Sequence, residues 1–235
     1  IIINKDICKL EDNLVYKTIM LMKQKFSIKK DVLVTINKNI PIGGGLAGGS
    51  SDAAATIRGL NKLWNLRLKY QEMYDVAVQL GSDVPFCLTG DLAYVKGRGE
   101  IITALNTNLN AKLFLVIPDY SCYTKDVFSE FSIQANSYNI ENLIDAIYQR
   151  DIKSIGNALY NDLEEVVNKK ALKMKKTPVS HIKTSLVDAG CLGSIMSGSG
   201  STVIGLVGND ENFLDIHKKI SQIYPNFIIK YVEIV

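Results

Sequence analysis

Pro41-Ile42-Gly43-Gly44-Gly45-Leu46-Ala47-Gly48-Gly49-Ser50-Ser51-Asp52 is the most informative stretch of this 235-residue chain. Five glycines within 43–49 exceed what an ordinary turn needs. They lead into a run where Ala53, Ile57, Leu60 and Trp64 recur at helical spacing, which predicts a helix starting near Ser50 or Ser51. A helix start presents unpaired N–H groups and a partial positive charge, and both suit a phosphate. Glycines on the approach let backbone amides curl round an anion with no Cβ in the way. Ser50 and Ser51 can cap the helix or bond phosphate oxygens, and Ser51 can also face a magnesium ion. Asp52 is read as complementing the helix dipole rather than as a metal ligand.

Two common phosphate-loop templates fail here. Gly43-x-Gly45-x-x-Gly48 meets the dinucleotide fingerprint, which needs an acid about 20 residues further on. The only charges in 61–71 are Lys62, Arg67 and Lys69, and Pro41 stands where a buried strand would end. Gly44-x-x-x-x-Gly49 has Walker spacing, but Ser50 occupies the lysine position.

Outward from this loop the pattern mixes helices and strands without strict alternation, which is an α+β class. Asp12 is placed as the N-cap of a helix carrying Val15, Ile19 and Met22. Val32, Val34 and Ile36 alternate as a strand. Tyr70, Met73, Ala77 and Leu80 mark a helix closed by Gly81 at its left-handed C-terminal position. Strands are expected at 92–95, 112–117, 193–196, 201–207 and 227–235, with helical pattern over 141–189 and through Phe213, Ile216, Ile220 and Ile223.

Composition excludes several classes. The chain is 47% hydrophobic and 22% charged, which rules out disorder and low-complexity fibres. A net charge of +3 gives no electrostatic case for nucleic acid or an anionic membrane. No apolar run approaches the ~20 residues of a spanning helix. The four cysteines and two histidines are scattered, without zinc or redox spacing, as in a cytoplasmic protein with reduced thiols.

Pro-x-Gly-Gly-Gly-Leu-x-Gly-Gly-Ser-Ser-x-Ala resembles the phosphate loop of the galactokinase, homoserine kinase, mevalonate kinase and phosphomevalonate kinase (GHMP) superfamily. Gly81-Ser82-Asp83-Val84-Pro85 and Gly193-Ser194-x-Met196-Ser197-Gly198-Ser199-Gly200-Ser201 resemble its later motifs. The long glycine run and the Asp-Val-Pro context are similar to one branch, which phosphorylates the 2-hydroxyl of a cytidine diphosphate-linked methylerythritol in the non-mevalonate route to isoprenoid precursors. The resemblance implies a two-lobed kinase using ATP and Mg2+. Its N-terminal lobe would be like ribosomal protein S5 over 1–105, lacking its first strands, with a C-terminal α/β sandwich lobe over 106–235 and the active site between them. It also implies a small-molecule substrate and a monomer or weak homodimer.

The resemblance further implies roles. Asp83 would be the catalytic base, accepting the alcohol's proton, where the plain alternative is a turn aspartate bonded to its own backbone. Val84-Pro85 would hold it stiffly, the residue before proline being extended. The stretch Pro41–Ser51 would bind ATP. Gly198, Ser199 and Gly200 would close over the phosphate loop and the methylerythritol end. Thr124 would meet the methylerythritol hydroxyls, and Phe128 would stack on the cytosine. For Thr124 and Phe128 a helix-start packing role stands beside the functional one. Lys96 and Arg98 are weaker candidates for offsetting phosphate charge. The family's opening Pro-Ala-Lys-x-Asn and Tyr-His motifs do not occur in the chain, and the resemblance places ~50 residues before Ile1. Other readings are a homoserine or mevalonate type of kinase, or a non-catalytic nucleotide-binding fragment.

Overall fold

The computed structural model describes residues 1–4, 8–132, 138–208 and 213–234, and the chain forms two compact units. The first comprises residues 1–41 and 47–106, and the second residues 42–46 and 107–235. Residues 42–46, grouped by sequence with the first lobe, therefore pack with the second unit.

The first unit is mainly helical. Its elements are β1 (Ile2–Ile3), α1 (Leu14–Lys25), β2 (Thr35–Ile36), α2 (Gly48–Leu63), α3 (Tyr70–Leu80), α4 (Val84–Thr89), β3 (Ala93–Lys96) and β4 (Ile101–Ala104). Helix α1 is capped by Asn13, whose Oδ1 accepts from Val15 N–H at 2.8 Å. Asp12 instead closes a preceding 3-10 turn, so the predicted cap is one residue off. Apolar residues at 15, 19 and 22 of α1 meet Ala53, Ala54, Ile57 and Leu60 of α2, and Val76 and Ala77 of α3 complete the core. The predicted strand through Val32 and Val34 shrinks to Thr35–Ile36, paired in parallel with Ile2–Ile3. The closing residue of α3, Gly81, is extended (φ 165°, ψ 161°) rather than left-handed, because the chain leaves directly for α4. Strands β3 and β4 form a hairpin with Lys96 opposite Ile101, and β4 had no clear sequence signal.

The second unit contains β5 (Lys112–Ile117), α5 (Thr124–Glu130), α6 (Ile140–Gln149), α7 (Ile152–Asn157), α8 (Glu164–Lys173), α9 (Val179–Ala189), β6 (Gly193–Met196), β7 (Val203–Val207), α10 (Phe213–Ile223) and β8 (Ile228–Glu233). Among the described residues the strands form one antiparallel sheet in the order β6-β7-β5-β8. The last residue of the predicted terminal strand, 235, lies outside the described residues. Helix α9 packs on β6 and β7 and buries Ile182, Leu186 and Ala189, the face its spacing marks. The core gathers round Phe114, whose ring stacks on Phe213 at 4.9 Å and 8°. An aromatic pair of this kind adds ~0.5–1.5 kcal/mol beyond area burial. No helix among the described residues is long and apolar enough to cross a membrane.

Candidate functional site

The glycine-rich stretch has an unusual hydrogen-bond pattern. Four successive carbonyls accept from donors of the second unit. Ser121 Oγ donates to Ile42 O at 2.9 Å, Cys122 N–H to Gly43 O at 2.9 Å, Thr202 N–H to Gly44 O at 3.2 Å and Ser197 Oγ to Gly45 O at 2.8 Å. By contrast, among the described residues no N–H of residues 42–50 donates to a protein acceptor, the first to do so being Ser51 N–H to Ala47 O at 2.9 Å. Carbonyl oxygens would repel an anion, and here they are consumed by the protein. Amide hydrogens would attract one, and here they are left over. The stretch ends in the positive terminus of the 16-residue helix α2.

Local geometry revises several sequence assignments. Helix α2 begins at Gly48, after a left-handed Ala47 (φ 48°, ψ 26°), so Ser50 and Ser51 lie inside the first turn and neither caps it. Their hydroxyls take part in no described hydrogen bond, Ser50 being half-buried and Ser51 exposed. Gly44 is buried, Pro41 and Leu46 are half-buried, and Ile42, Ala47 and Gly49 are exposed. Gly45 is left-handed (φ +73°), and a Cβ there would lie 2.9 Å from Gly200 N and 3.0 Å from Gly200 O. A Cβ on Gly48 would meet Lys38 Nζ at 3.0 Å and Ile40 Cγ2 at 3.1 Å.

That contact identifies a lysine the sequence did not single out. Lys38 is only 7% exposed, and its ammonium lies 2.5 Å from Asp52 Oδ2 in the first turn of α2. In a polar run Asn37-Lys38-Asn39 it reads as solvated, and no local pattern marks it. Asp52 thus has a specific partner besides the helix dipole. Asp52→Asn should lower stability by ~1–3 kcal/mol, because it weakens the partner of a buried ammonium. A denaturant midpoint shifted by less than about 0.5 kcal/mol would show that Lys38 finds compensation elsewhere.

Next to this pair, Val32, Val34 and Ile36 line an open groove of about 560 Å³ with Ala55, Thr56 and Leu63 of α2. Asp52 lies at its edge, so the groove runs along α2 from the turn that carries the unpaired amides.

Asp83 occupies the N-cap position of α4 (φ −89°, ψ −13°), exposed and making no capping bond through its side chain. The backbone-bonded turn aspartate is therefore not what is seen. Val84 is the first helical residue rather than extended, since proline is tolerated in a helix's first turn. Burial, with the Asp83 charge adding to it, pushes the Cys87 thiol above its usual range. The β3–β4 hairpin braces this turn. A Cβ on Gly99 would collide with Ser82 O and sit 2.9 Å from Ser82 C, and Tyr74 Oη donates to Glu100 O. Lys96 instead lies over the Tyr94 ring at 4.8 Å, and Arg98 N–H donates to Glu100 Oε2 at 2.6 Å.

In the second unit the structure brings Thr124 and Ser199 together, with their hydroxyls 2.9 Å apart. Ser199 is 7% exposed, whereas Phe128 on α5 is 57% exposed. Gly198 and Gly200 are left-handed at φ 52° and 78°. Sequence reasoning missed Asn161 and Glu164, which hold this loop. Their signal, Asn-x-x-Glu, reads as a capping box and so only as a helix start.

The GHMP kinase N-terminal domain model matches residues 13–91 and the GHMP kinase C-terminal model residues 143–226. A 4-diphosphocytidyl-2-C-methyl-D-erythritol kinase of Geobacillus thermodenitrificans is 41% identical over 207 residues, 87% of this chain and 69% of that protein. Among solved structures, a homoserine kinase from Cytophaga hutchinsonii superposes with a TM-score of 0.80 at 19% identity, over 99% of this chain and 78% of its own. A 4-(cytidine 5'-diphospho)-2C-methyl-D-erythritol kinase superposes at 0.72 and 22% identity, over 98% and 82%. At these identities the two structures establish a shared fold, and the sequence relative establishes the branch. The chain belongs to the 4-diphosphocytidyl-2-C-methyl-D-erythritol kinases of the GHMP kinase family.

Proposed function

We propose that the protein transfers the γ-phosphate of ATP to the 2-hydroxyl of 4-diphosphocytidyl-2-C-methyl-D-erythritol, a step of non-mevalonate isoprenoid precursor synthesis in the cytoplasm. The observation that carries this reading is the row of unpaired N–H groups over 42–50, backed by four engaged carbonyls. The row receives the triphosphate, and the apolar groove along α2 receives the adenine. Lys38, ion-paired with Asp52, braces the start of α2 beside Gly48.

Mg2+ would be held chiefly by phosphate oxygens and water, with the Ser51 hydroxyl as its protein ligand. That fits a chain with no described cluster of three His, Cys, Asp or Glu side chains, because magnesium keeps most of its ligands from water and phosphate. When bound, it neutralises charge on the phosphates. Asp83 orients the alcohol and accepts its proton as the new P–O bond forms, and its free, exposed carboxylate suits that role. In the second unit, Phe128 stacks on the cytosine, while Thr124, Gly198, Ser199 and Gly200 meet the methylerythritol end.

The direct test is ADP release with a panel of alcohols. Turnover is expected with the cytidine substrate and not with homoserine or mevalonate. Turnover with either of those instead would overturn the substrate assignment, and none with any would favour a binding module. Phe128→Ala should raise KM for the cytidine substrate by about 5- to 100-fold, the worth of one base–aromatic stack. Its melting temperature should hardly move, since the ring is exposed. An unchanged KM would return Phe128 to the surface.

A further inference from the structure

We propose that Asn161 and Glu164 are positioning residues for the substrate, acting through the 197–200 loop. This rests on the reading above that Gly198–Gly200 contacts the methylerythritol end.

Met196 is the last residue of β6 and leads directly into the loop. Strand β6 lies at the sheet edge, so among the described residues only β7 pairs with it. The segment leading into α8 takes the place of a second partner. Asn161 Nδ2 donates one hydrogen to Met196 O and the other to Gly198 O, each at 2.8 Å. Its Oδ1 accepts from Leu163 N–H at 2.9 Å, which fixes the orientation of the amide. Glu164 Oε1 accepts from Met196 N–H at 3.0 Å, and its Oε2 accepts from Lys183 Nζ at 2.6 Å. Both backbone groups of Met196 and the carbonyl of Gly198 are thus gripped by two side chains three residues apart.

The loop they hold needs such a grip. Its left-handed Gly198 and Gly200 give it little intrinsic rigidity. Its own bonds are Gly200 N–H to Ser197 O and Ser197 N–H to Thr202 O, each at 2.9 Å. Ser199, next to the clamped Gly198, carries the hydroxyl that meets Thr124. A shift of about 1 Å in such a loop can cost ~10²-fold in rate when the reacting group must be held in place.

Asn161→Asp is the informative variant. It keeps the acceptor for Leu163 N–H, so the start of α8 survives, but it sets an oxygen against two carbonyls. KM for the cytidine substrate should rise about 10-fold or more with kcat also reduced, while the melting temperature stays within a few degrees of the parent. Glu164→Ala should raise KM more than Glu164→Gln, which retains an acceptor for Met196 N–H. Ser199→Ala serves as the control on the underlying reading. If Ser199→Ala raises KM and Asn161→Asp leaves it within twofold, the loop contacts substrate but the clamp does not set it, and the proposal fails alone. If Asn161→Asp lowers the melting temperature and leaves KM unmoved, the residue is merely structural and the proposal fails. If neither variant changes KM, the reading of the loop as a substrate contact falls, and the proposal with it.

Discussion

Asp83→Asn is expected to lower kcat by ~10²–10⁴-fold while leaving ATP affinity and stability near those of the parent. The size is the usual contribution of a positioned general base. The sparing of the fold follows from the surroundings of Asp83, whose side chain is exposed and makes no capping bond on α4. Asparagine is isosteric, so the turn loses no hydrogen bond, and a surface change of this kind is worth under about 0.5 kcal/mol. Single-turnover rates with saturating ATP, read beside thermal unfolding, separate the two quantities. A rate loss below tenfold would remove Asp83 from the chemistry, and a large loss of stability would return it to a structural role.

The second large effect is expected at Gly45. From the sequence alone, the glycines of 43–49 are there for the phosphate. The structure gives Gly45 a further reason, because the space a Cβ would fill is already taken by the backbone of Ser197 and Gly200. Gly45→Ala therefore combines left-handed strain of about 1–3 kcal/mol with a clash against atoms that cannot rotate away. Gly48→Ala differs, since its new methyl meets side-chain rather than backbone atoms, the ion-paired ammonium of Lys38 and a methyl of Ile40, at 3.0 and 3.1 Å. Gly45→Ala should lower both the unfolding midpoint and the affinity for a non-hydrolysable ATP analogue, the latter by tenfold or more. Gly48→Ala should change stability by less than about 1 kcal/mol. Equal losses of stability in the two would mean that the ammonium of Lys38 is as immovable as backbone.

Which elements could be read in advance follows from what fixes them. Strand β5 was legible from its continuous apolar run, and helices α3 and α10 because most of their apolar period, Met73, Ala77 and Leu80 in one and Phe213, Ile216 and Ile220 in the other, turns to the core. The alternation at Val32 and Val34 was equally regular, yet β1 reaches only as far as Val34, whose carbonyl accepts from Ile2 N–H at 2.9 Å, since alternation marks a pleated surface and not the presence of a neighbour. Asn13 and Asp12 are both good caps, and only the preceding 3-10 turn decides between them. The glycine loop was legible as a connection that leaves its amides spare ahead of a helix start, because that chemistry is local. Lys38 and Asn161 were not, for their partners stand 14 residues away and 35–37 residues away, respectively.

The straps on carbonyls 42–45 also bear on the order in which the protein is built. Ser121 stands 79 residues beyond Ile42, and Ser197 stands 152 residues beyond Gly45. On a ribosome the loop emerges long before either partner exists, and non-local contacts of this kind close late because their loop entropy must be met first. Helix α2 can form from its own period, but the carbonyls of Gly44 and Gly45 stay solvated until Ser197 and Thr202 have been made. The segment that reads most plainly in the sequence is therefore among the last to reach its final form. A nascent chain arrested before Thr202 should have a folded α2 and no grip on nucleotide.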